Sequence, residues 1–253
     1  LGLHAPLIEV EVHVSSGMPS LTIVGLPEAA VRESKDRVRS AILNSGFQFP
    51  TKRLTINLAP ADLPKDGSRL DLPIALGILV ASGQLPENCT DDLEFIGELA
   101  LDGQLRPVTG ILSIAIACQH DQHQLMLPGP NAQEACQLPD FKVFAANHLK
   151  EVCEHLAQTQ CLAEIQTIPV DTNHFYKCDL ADVKGQLRPR RALEIAAAGG
   201  HSLLFRGPPG TGKTLLASRL ASILPPLKTQ ENLEVASIYS VANANHPFGQ
   251  RPF

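Results

Sequence analysis

The chain has 253 residues, of which 44% are hydrophobic and 19% charged, and this composition excludes an intrinsically disordered protein. No apolar run approaches the roughly 20 residues that a membrane-spanning helix needs, so no membrane partner is expected. The net charge is −5, but residues 1–170 are acidic overall and the remainder is basic, which favours two domains over a uniformly basic nucleic-acid-binding protein.

Short apolar or alternating runs predict β-strands, and longer periodic runs predict α-helices. The predicted strands are, in chain order, 7–14, 21–24, 54–58, 94–101, 104–108, 124–127, 142–144 and 202–205. The predicted helices are 28–44, 71–82, 111–120, 131–137, 148–157, 189–198 and 213–224. Strands and helices alternate as far as residue 157, which predicts a layered domain that contains both.

The first predicted helix has clear ends, because Pro27 lies near its start and Gly46 follows it. Two pairs along it have the spacing of helical ion pairs, Glu28 with Arg32 and Glu33 with Arg37. Further along the chain, Asp102-Gly103 separates two predicted strands. This dipeptide is a strong signal for a tight β-hairpin.

Basic residues form a candidate DNA-binding patch in this region. Arg32, Lys35 and Arg39 fall on one side of the first predicted helix, and Lys52 and Arg53 lie just before the next strand. Such a patch could neutralise DNA phosphates. It could equally be a solvated helix face paired to Glu28 and Asp36, and the sequence leaves both interpretations open.

The chemically most specific motif lies near the end of the chain. It is the phosphate loop Gly207-Pro208-Pro209-Gly210-Thr211-Gly212-Lys213-Thr214, which matches the pattern G-x-x-x-x-G-K-[ST] between a predicted strand and a predicted helix. Glycines let successive backbone N–H groups point at phosphate oxygens. Lys213 would place a charge on the β- and γ-phosphates, and the hydroxyl of Thr214 would bind Mg²⁺. The loop therefore predicts ATP and Mg²⁺ as cofactors.

Cysteine and histidine residues give no comparable signal. The six cysteines form no CxxC pair, so we interpret them as reduced thiols of a cytoplasmic protein. The spacings His120-x-x-His123 and His148-x-x-Glu151-x-x-x-His155 match no known zinc helix. We interpret these residues as ordinary surface residues.

The phosphate loop resembles the Walker A motif of AAA+ ATPases. The residues that flank the loop narrow this resemblance to one branch of these ATPases. Asp182-Val183-Lys184-Gly185-Gln186 and the run from Arg191 to His201 resemble the lead-in of the magnesium-chelatase-like branch. That resemblance implies that residues around Val183 and Lys184 line the adenine side of the site.

Upstream motifs resemble the YifB/ComM family of magnesium chelatase-like proteins. They are Gly-Met-Pro at 17–19, Val-Gly-Leu-Pro at 24–27, Glu-Ser-Lys-Asp-Arg-Val-Arg-Ser-Ala at 33–41, Asn-Leu-Ala-Pro-Ala-Asp-Leu-Pro-Lys at 57–65 and Asp-Leu-Pro-Ile-Ala at 71–75. The resemblance implies a self-associating, hexameric ATP-driven motor on single-stranded or branched DNA. ComM-type members promote branch migration during integration of transforming DNA. The alternatives are a chelatase-type ATPase subunit that remodels other proteins, which the Lon-like first domain argues against, and an ATP-dependent protease.

The first domain also resembles the proteolytic domain of Lon. The run Asp66-Gly67-Ser68-Arg69-Leu70-Asp71 lies where Lon carries its nucleophile motif. In this register Arg69 occupies the serine position and Leu112 occupies the lysine position. The resemblance therefore implies a retained fold without the Ser-Lys pair, and a serine without its base is not activated.

These observations predict an α/β protein with two domains. Residues 1–165 are expected to form an inactive Lon-like α+β domain of the ribosomal S5 domain 2-like type. Residues 166–185 are the predicted linker, and 186–253 are the predicted start of a P-loop AAA+ domain. The chain opens on Leu1, so we expect it to be a piece of a longer protein. The resemblance places the Walker B, sensor and arginine-finger segments after Phe253, so this piece is expected to bind nucleotide without efficient hydrolysis.

Overall fold

A computed structural model describes residues 5–65, 67–165, 178–242, 244, 248–249 and 251. The chain divides into two compact units. The first unit comprises Leu1–Ile168 and Ser237–Ala244, and the second comprises Pro169–Ala236 and Asn245–Phe253. The structure is mixed α/β with several sheets, which confirms the predicted class. The Lon-like and P-loop fold types remain predictions.

The elements up to residue 165 follow the predicted order. They are β1 (Glu9–Ser15), β2 (Ser20–Val24), α1 (Ala29–Asn44), β3 (Arg53–Ala59), α2 (Asp71–Ala81), β4 (Leu93–Phe95), β5 (Glu98–Leu99), β6 (Leu105–Arg106), α3 (Ile111–His120), β7 (Gln124–Pro128), α4 (Ala132–Ala135), β8 (Val143–Ala146), α5 (Leu149–Leu156) and β9 (Glu164–Ile165). The sequence did not predict β9. The later elements are α6 (Leu187–Gly199), α7 (Lys213–Ala217), α8 (Leu220–Ile223) and α9 (Thr229–Val241), and α9 was also not predicted.

Two larger sheets organise the first unit. One has the order β1-β3-β2, in which β1 is antiparallel and β2 parallel to β3. The other has the order β4-β7-β8-β9. Leu54, Ile56 and Leu58 alternate along β3 and are fully buried, because successive side chains of a strand point to opposite faces. They belong to the core that α1 and α2 cover.

The predicted hairpin around Asp102-Gly103 exists but is much shorter than expected. Only β5 and β6 pair there, and β4 instead joins the second larger sheet. Gly97 separates β4 from β5, since its N–H donates to the carbonyl of Arg69 and its carbonyl accepts from Leu72 N. These bonds to the start of α2 divert the backbone, so one predicted strand becomes two.

Gly103 is tightly enclosed at the hairpin turn. Its φ is +94°, and a Cβ there would lie 2.7 Å from His148 Cε1 and would also overlap the hydroxyl of Ser45. We expect Gly103→Ala to lower the free energy of unfolding by about 2–5 kcal/mol, since left-handed strain of about 1–2 kcal/mol adds to a steric overlap of about 1–3 kcal/mol. Gly83→Ala is the matched control, because Gly83 has φ +74° and open space around its Cβ position. Urea unfolding measures both variants, and equal losses would contradict the packing at Gly103.

The ion pairs predicted along the first helix are wrong. Arg37 pairs with Asp71 of α2 at 2.9 Å, and Arg32 Nε donates to the carbonyl of Pro27 at 3.1 Å. Asp71 is 1% exposed, so a buried carboxylate attracts Arg37 more strongly than the exposed Glu33 does. The pair joins α1 to α2.

The second unit has a small core of Leu180, Val183, Leu193 and Leu216. The strand predicted over 202–205 is wrong, since these residues form no regular element and Leu204 is 87% exposed. A strand needs hydrogen bonds to a neighbour, and the described residues of this unit contain no other strand to provide them.

The helix predicted over 213–224 is interrupted between α7 and α8. Arg219 N donates to the carbonyl of Leu216 at 3.1 Å, three residues back, and Ser218 Oγ donates to the carbonyl of Leu215 at 3.0 Å. These bonds tighten the turn and end α7. Across the described residues, no helix is long and apolar enough to cross a bilayer.

Candidate nucleotide-binding site

The phosphate loop curls tightly ahead of α7. Gly210 and Gly212 adopt φ of +79° and +77°, a left-handed conformation that glycine adopts without steric cost. Gly212 immediately precedes α7, and its carbonyl accepts from Leu216 N at 3.0 Å. The loop therefore leads directly into a helical turn, as the motif predicts.

Lys213 ties this loop together. Its ammonium donates to the carbonyls of Gly207 at 2.9 Å and Pro208 at 2.7 Å. Thr211 Oγ1 also donates to the carbonyl of Pro208, at 3.0 Å. In the part of the chain that the structure describes, no carboxylate pairs with Lys213. Because neutral carbonyls hold the Lys213 ammonium, its positive charge is not neutralised and can attract an anion.

The remaining loop residues lie at the surface. Pro208, Pro209, Gly210, Thr211 and Thr214 are all exposed. The hydroxyl of Thr214, at the second position of α7, is accessible for an Mg²⁺ ion held together with a bound phosphate. Groups of three or more His, Cys, Asp or Glu side chains that could hold a metal are absent from the described residues.

Val183 and Lys184 take different positions near the loop. The side chain of Val183 is 2% exposed and packs in the core of the second unit, whereas Lys184 is exposed. Arg190 Nη1 donates to the carbonyl of Val183 at 3.3 Å, which anchors this segment to α6. Only Lys184 of the two has a side chain accessible to a nucleotide.

Gln186 is a candidate site residue that the sequence did not predict. It precedes α6 with φ of +50° and ψ of +46°. Its Nε2 lies 3.1 Å from the position that a Cβ on Gly212 would occupy. The Gln186 amide therefore sits against the phosphate loop. Gly185 and Gln186 both adopt positive φ ahead of α6, but no short sequence pattern signals the contact of Gln186 with the loop.

The positions aligned with the Lon catalytic pair do not form one. Leu112 is fully buried in the core, and Ser68 donates to a carboxylate oxygen of Glu98. Arg69 is half-buried, and Asp66 lies outside the described residues. Neither position presents a serine activated by a lysine.

The five candidate DNA-contacting residues divide into two groups. Arg39 and Lys52 line one small cleft of about 120 Å³, where the Arg39 guanidinium lies 5.2 Å from the ring centre of Phe49, and Arg53 is adjacent in sequence. Arg32 and Lys35 lie towards the other end of α1. None of the five forms an ion pair with a described residue, and the pairing of this face to Glu28 and Asp36 does not occur there.

The histidines weighed as metal ligands have local partners instead. His123 lies 3.0 Å from Glu94, and His148 bridges Asp102 O and Lys150 N. His155 Nδ1 accepts from Leu162 N, and burial lowers the pKa of His155. All six cysteines are free. Burial raises the pKa of Cys153 to about 12, so its thiol is unreactive near neutral pH.

Comparisons with known proteins match both parts of the chain. A family model described as subunit ChlI of Mg-chelatase matches residues 10–131, and one described as magnesium chelatase, subunit ChlI, matches residues 179–253. The uncharacterized protein YifB of Salmonella typhimurium is 50% identical over 260 residues, and YifB of Escherichia coli is 49% identical over 257. The competence protein ComM of Haemophilus influenzae is 47% identical over 260 residues. Each alignment covers 100% of this chain but only 50–51% of the relative, so the chain spans about half their length.

Proposed function

Because the chain belongs to the magnesium chelatase-like YifB/ComM family, we propose that it supplies the ATP- and Mg²⁺-binding loop of a motor that acts on DNA. The family is one of ATPase-type motors. The observation that carries the proposal is the phosphate loop, whose two left-handed glycines and bridging Lys213 ammonium fit a triphosphate.

The residues present have the chemistry that ATP and Mg²⁺ require. Backbone N–H groups of the loop and the Lys213 ammonium would hold phosphate oxygens, and the Thr214 hydroxyl would face the metal. Gln186 and Lys184 would contact the nucleotide from the segment before α6. When bound, Mg²⁺ neutralises charge that develops on the phosphates.

The DNA part of the proposal rests on the family and on the basic face of the first unit. Arg39 and Lys52 line one cleft, Arg53 follows Lys52 in the sequence, and none of the three has a carboxylate partner among the described residues. Each phosphate that a lysine or arginine neutralises releases counterions and makes binding weaker at higher salt. The patch could therefore hold a DNA backbone without reading its sequence.

We expect the double substitution Arg39→Ala, Lys52→Ala to weaken DNA binding by full-length protein and to reduce the slope of log affinity against log salt by about 2, since each lost phosphate contact removes about 1. Fluorescence anisotropy over a salt series measures this slope. Lys150→Ala is the matched control, because Lys150 is exposed but paired with Glu154 at 3.8 Å. Unchanged slopes in both variants would remove this patch from the DNA site.

The function itself is tested with full-length protein, ATP and a labelled three- or four-way DNA junction. The proposal predicts strand exchange and ATP hydrolysis stimulated by the junction. Neither strand exchange nor DNA-stimulated hydrolysis would overturn the DNA motor.

A chelatase-type motor that remodels other proteins is the second candidate. It is favoured by the match of residues 10–131 to a model of subunit ChlI, because this match weakens the argument that the first unit excludes a chelatase. ATP hydrolysis that DNA does not stimulate, with no strand exchange, would support this candidate over the first.

Peptidase activity is the least supported candidate. The buried Leu112 supplies no base, and Ser68 donates its hydrogen bond to Glu98. We expect no cleavage of casein by the full-length protein in the presence of ATP. Casein cleavage that a serine-directed inhibitor abolishes would contradict this assignment.

A further inference from the structure

A long groove separates the two larger sheets of the first unit. Its volume is about 1150 Å³, above the roughly 300–1,000 Å³ typical of small-molecule sites. Glu9, Val10 and Val12 of β1 line one side, and Leu93, Glu94 and Phe95 of β4 line the other. The groove therefore runs between two strands and has the size for a segment of polypeptide.

Both flanking strands have a free edge. Within the described residues β1 pairs only with β3, and β4 pairs only with β7. Unpaired edges normally carry a charge, a bulge or a cover, because exposed N–H and C=O groups recruit other strands. Here both edges face one groove. A strand placed between them would join β2-β3-β1 and β4-β7-β8-β9 into a single sheet.

The floor of the groove is apolar and is formed by one face of α2. Leu76, Gly77 and Val80 of α2 line it. Gly77 lets the helix approach β1 closely, since a Cβ there would lie 2.7 Å from Val12 Cγ2. Alternate side chains of an added strand would face this floor, as in recognition by β-strand addition.

Ser113 gives independent support for an occupant. It lines the same groove and is only 5% exposed, and its hydroxyl has no hydrogen-bond partner among the described residues. A buried polar group without a hydrogen-bond partner destabilises a fold. An occupant with backbone donors and acceptors could supply that partner.

The residues at the two ends of the groove show how β1 and β4 run along it. Lys65 and Arg69 lie at the end of the groove where β1 begins and β4 ends. Lys65 comes shortly after Ala59, the last residue of β3, which pairs with Glu9 at the start of β1. The carbonyl of Arg69 accepts a hydrogen bond from Gly97 N, just after β4. Glu87 and Asp92 lie at the other end, beside the start of β4. Consequently β1 and β4 run in opposite directions along the groove.

We propose that the groove holds a β-strand of the same polypeptide, antiparallel to β1 and parallel to β4, contributed by the sequence that precedes Leu1 in the full-length protein. Such a strand ends at the side of Lys65 and Arg69, where Ala5 and Pro6 line the groove just before β1. A short hairpin connection then suffices, and sequential strands are usually neighbours. The matched relatives are about twice as long as this chain, so they have sequence beyond the aligned part.

Hydrogen exchange followed by mass spectrometry on the full-length protein tests the proposal. The amides of Glu9–Ser15 and Leu93–Phe95 that face the groove should exchange at least about tenfold more slowly than in an unstructured peptide, because they would be hydrogen-bonded inside a sheet. Exchange at the unstructured rate would overturn the proposal. The paired amides between β1 and β3 are the internal standard for a closed ladder.

Two further arms identify the occupant. Protection that is lost on dilution would mean a strand from a second copy, and protection that survives deletion of the residues before Leu1 would mean a strand from elsewhere, so either result overturns the proposal. Protection that is independent of concentration and lost in the deletion variant supports it. Retained protection of the β1–β3 amides shows that this variant is still folded.

Discussion

Replacing Arg37 with methionine should lower the free energy of unfolding of the first unit by about 3–5 kcal/mol at neutral pH, because it leaves a buried carboxylate without its partner. Asp71 is 1% exposed, and it accepts hydrogen bonds from Arg37 Nε at 2.9 Å and Nη2 at 3.2 Å. Its remaining donor is Leu99 N at 3.3 Å. Methionine keeps most of the apolar stem of arginine, so the change is chiefly one of charge.

The loss in this variant should depend on pH. Burial raises the pKa of Asp71, and the hydrogen bond from Arg37 opposes that rise. Without Arg37 the folded-state pKa rises further above the unfolded value of about 3.9. The destabilisation is therefore complete above the folded-state pKa and shrinks as pH falls through it, where the folded protein binds the proton first.

Arg32→Met is the matched control for this pair. Arg32 lies on the same helix but is exposed, and its Nε donates to the carbonyl of Pro27 rather than to a carboxylate of the described residues. We expect its effect to stay within about 0.5 kcal/mol. Urea unfolding of both variants over a pH series measures the difference. Equal midpoints at every pH would show that Arg37 and Asp71 do not stabilise the contact between α1 and α2.

The Lys213→Ala variant should have about 10- to 100-fold weaker affinity for ATP with Mg²⁺ in the full-length protein. Hydrogen bonds to charged groups contribute about 1.5–3 kcal/mol, and about 1.4 kcal/mol corresponds to a tenfold change. The variant also loses the contacts to the carbonyls of Gly207 and Pro208 that hold the loop closed. The lost charge and the lost loop contacts therefore both weaken ATP binding.

Lys228→Ala is the control for this substitution. Lys228 is exposed and lies outside the phosphate loop, so it changes the net charge equally without touching the site. Titration with a fluorescent ATP analogue in the presence of Mg²⁺ compares the two variants. If both bind the analogue as tightly as the unchanged protein, Lys213 has no role in binding.

Local sequence patterns predicted most of the first unit correctly. The alternation that gives β1 and the turn residues around α1 act over a few positions, so the sequence contains that signal directly. The phosphate loop could likewise be predicted, because its glycines and Lys213 are close together in the chain and their conformations follow from residue type.

Three of the failures depend on contacts between residues that are distant in sequence. Arg37 pairs with Asp71, 34 positions away, and helical spacing favoured Glu33 instead. The segment 202–205 has the composition of a buried strand but no neighbouring strand among the described residues. Gln186 reaches the loop only because α6 places it opposite Gly212. No pattern within a short window encodes these contacts.

Photo-crosslinking of the full-length protein with 8-azido-ATP and Mg²⁺, followed by mass-spectrometric mapping, tests the nucleotide site most directly. If this loop binds ATP, labelled peptides should come from residues 183–186 or from the phosphate loop, and excess ATP should abolish the labelling and Lys213→Ala should strongly reduce it. Label that maps only elsewhere, or that persists unchanged in the Lys213→Ala variant, would contradict the assignment of this loop as the ATP site.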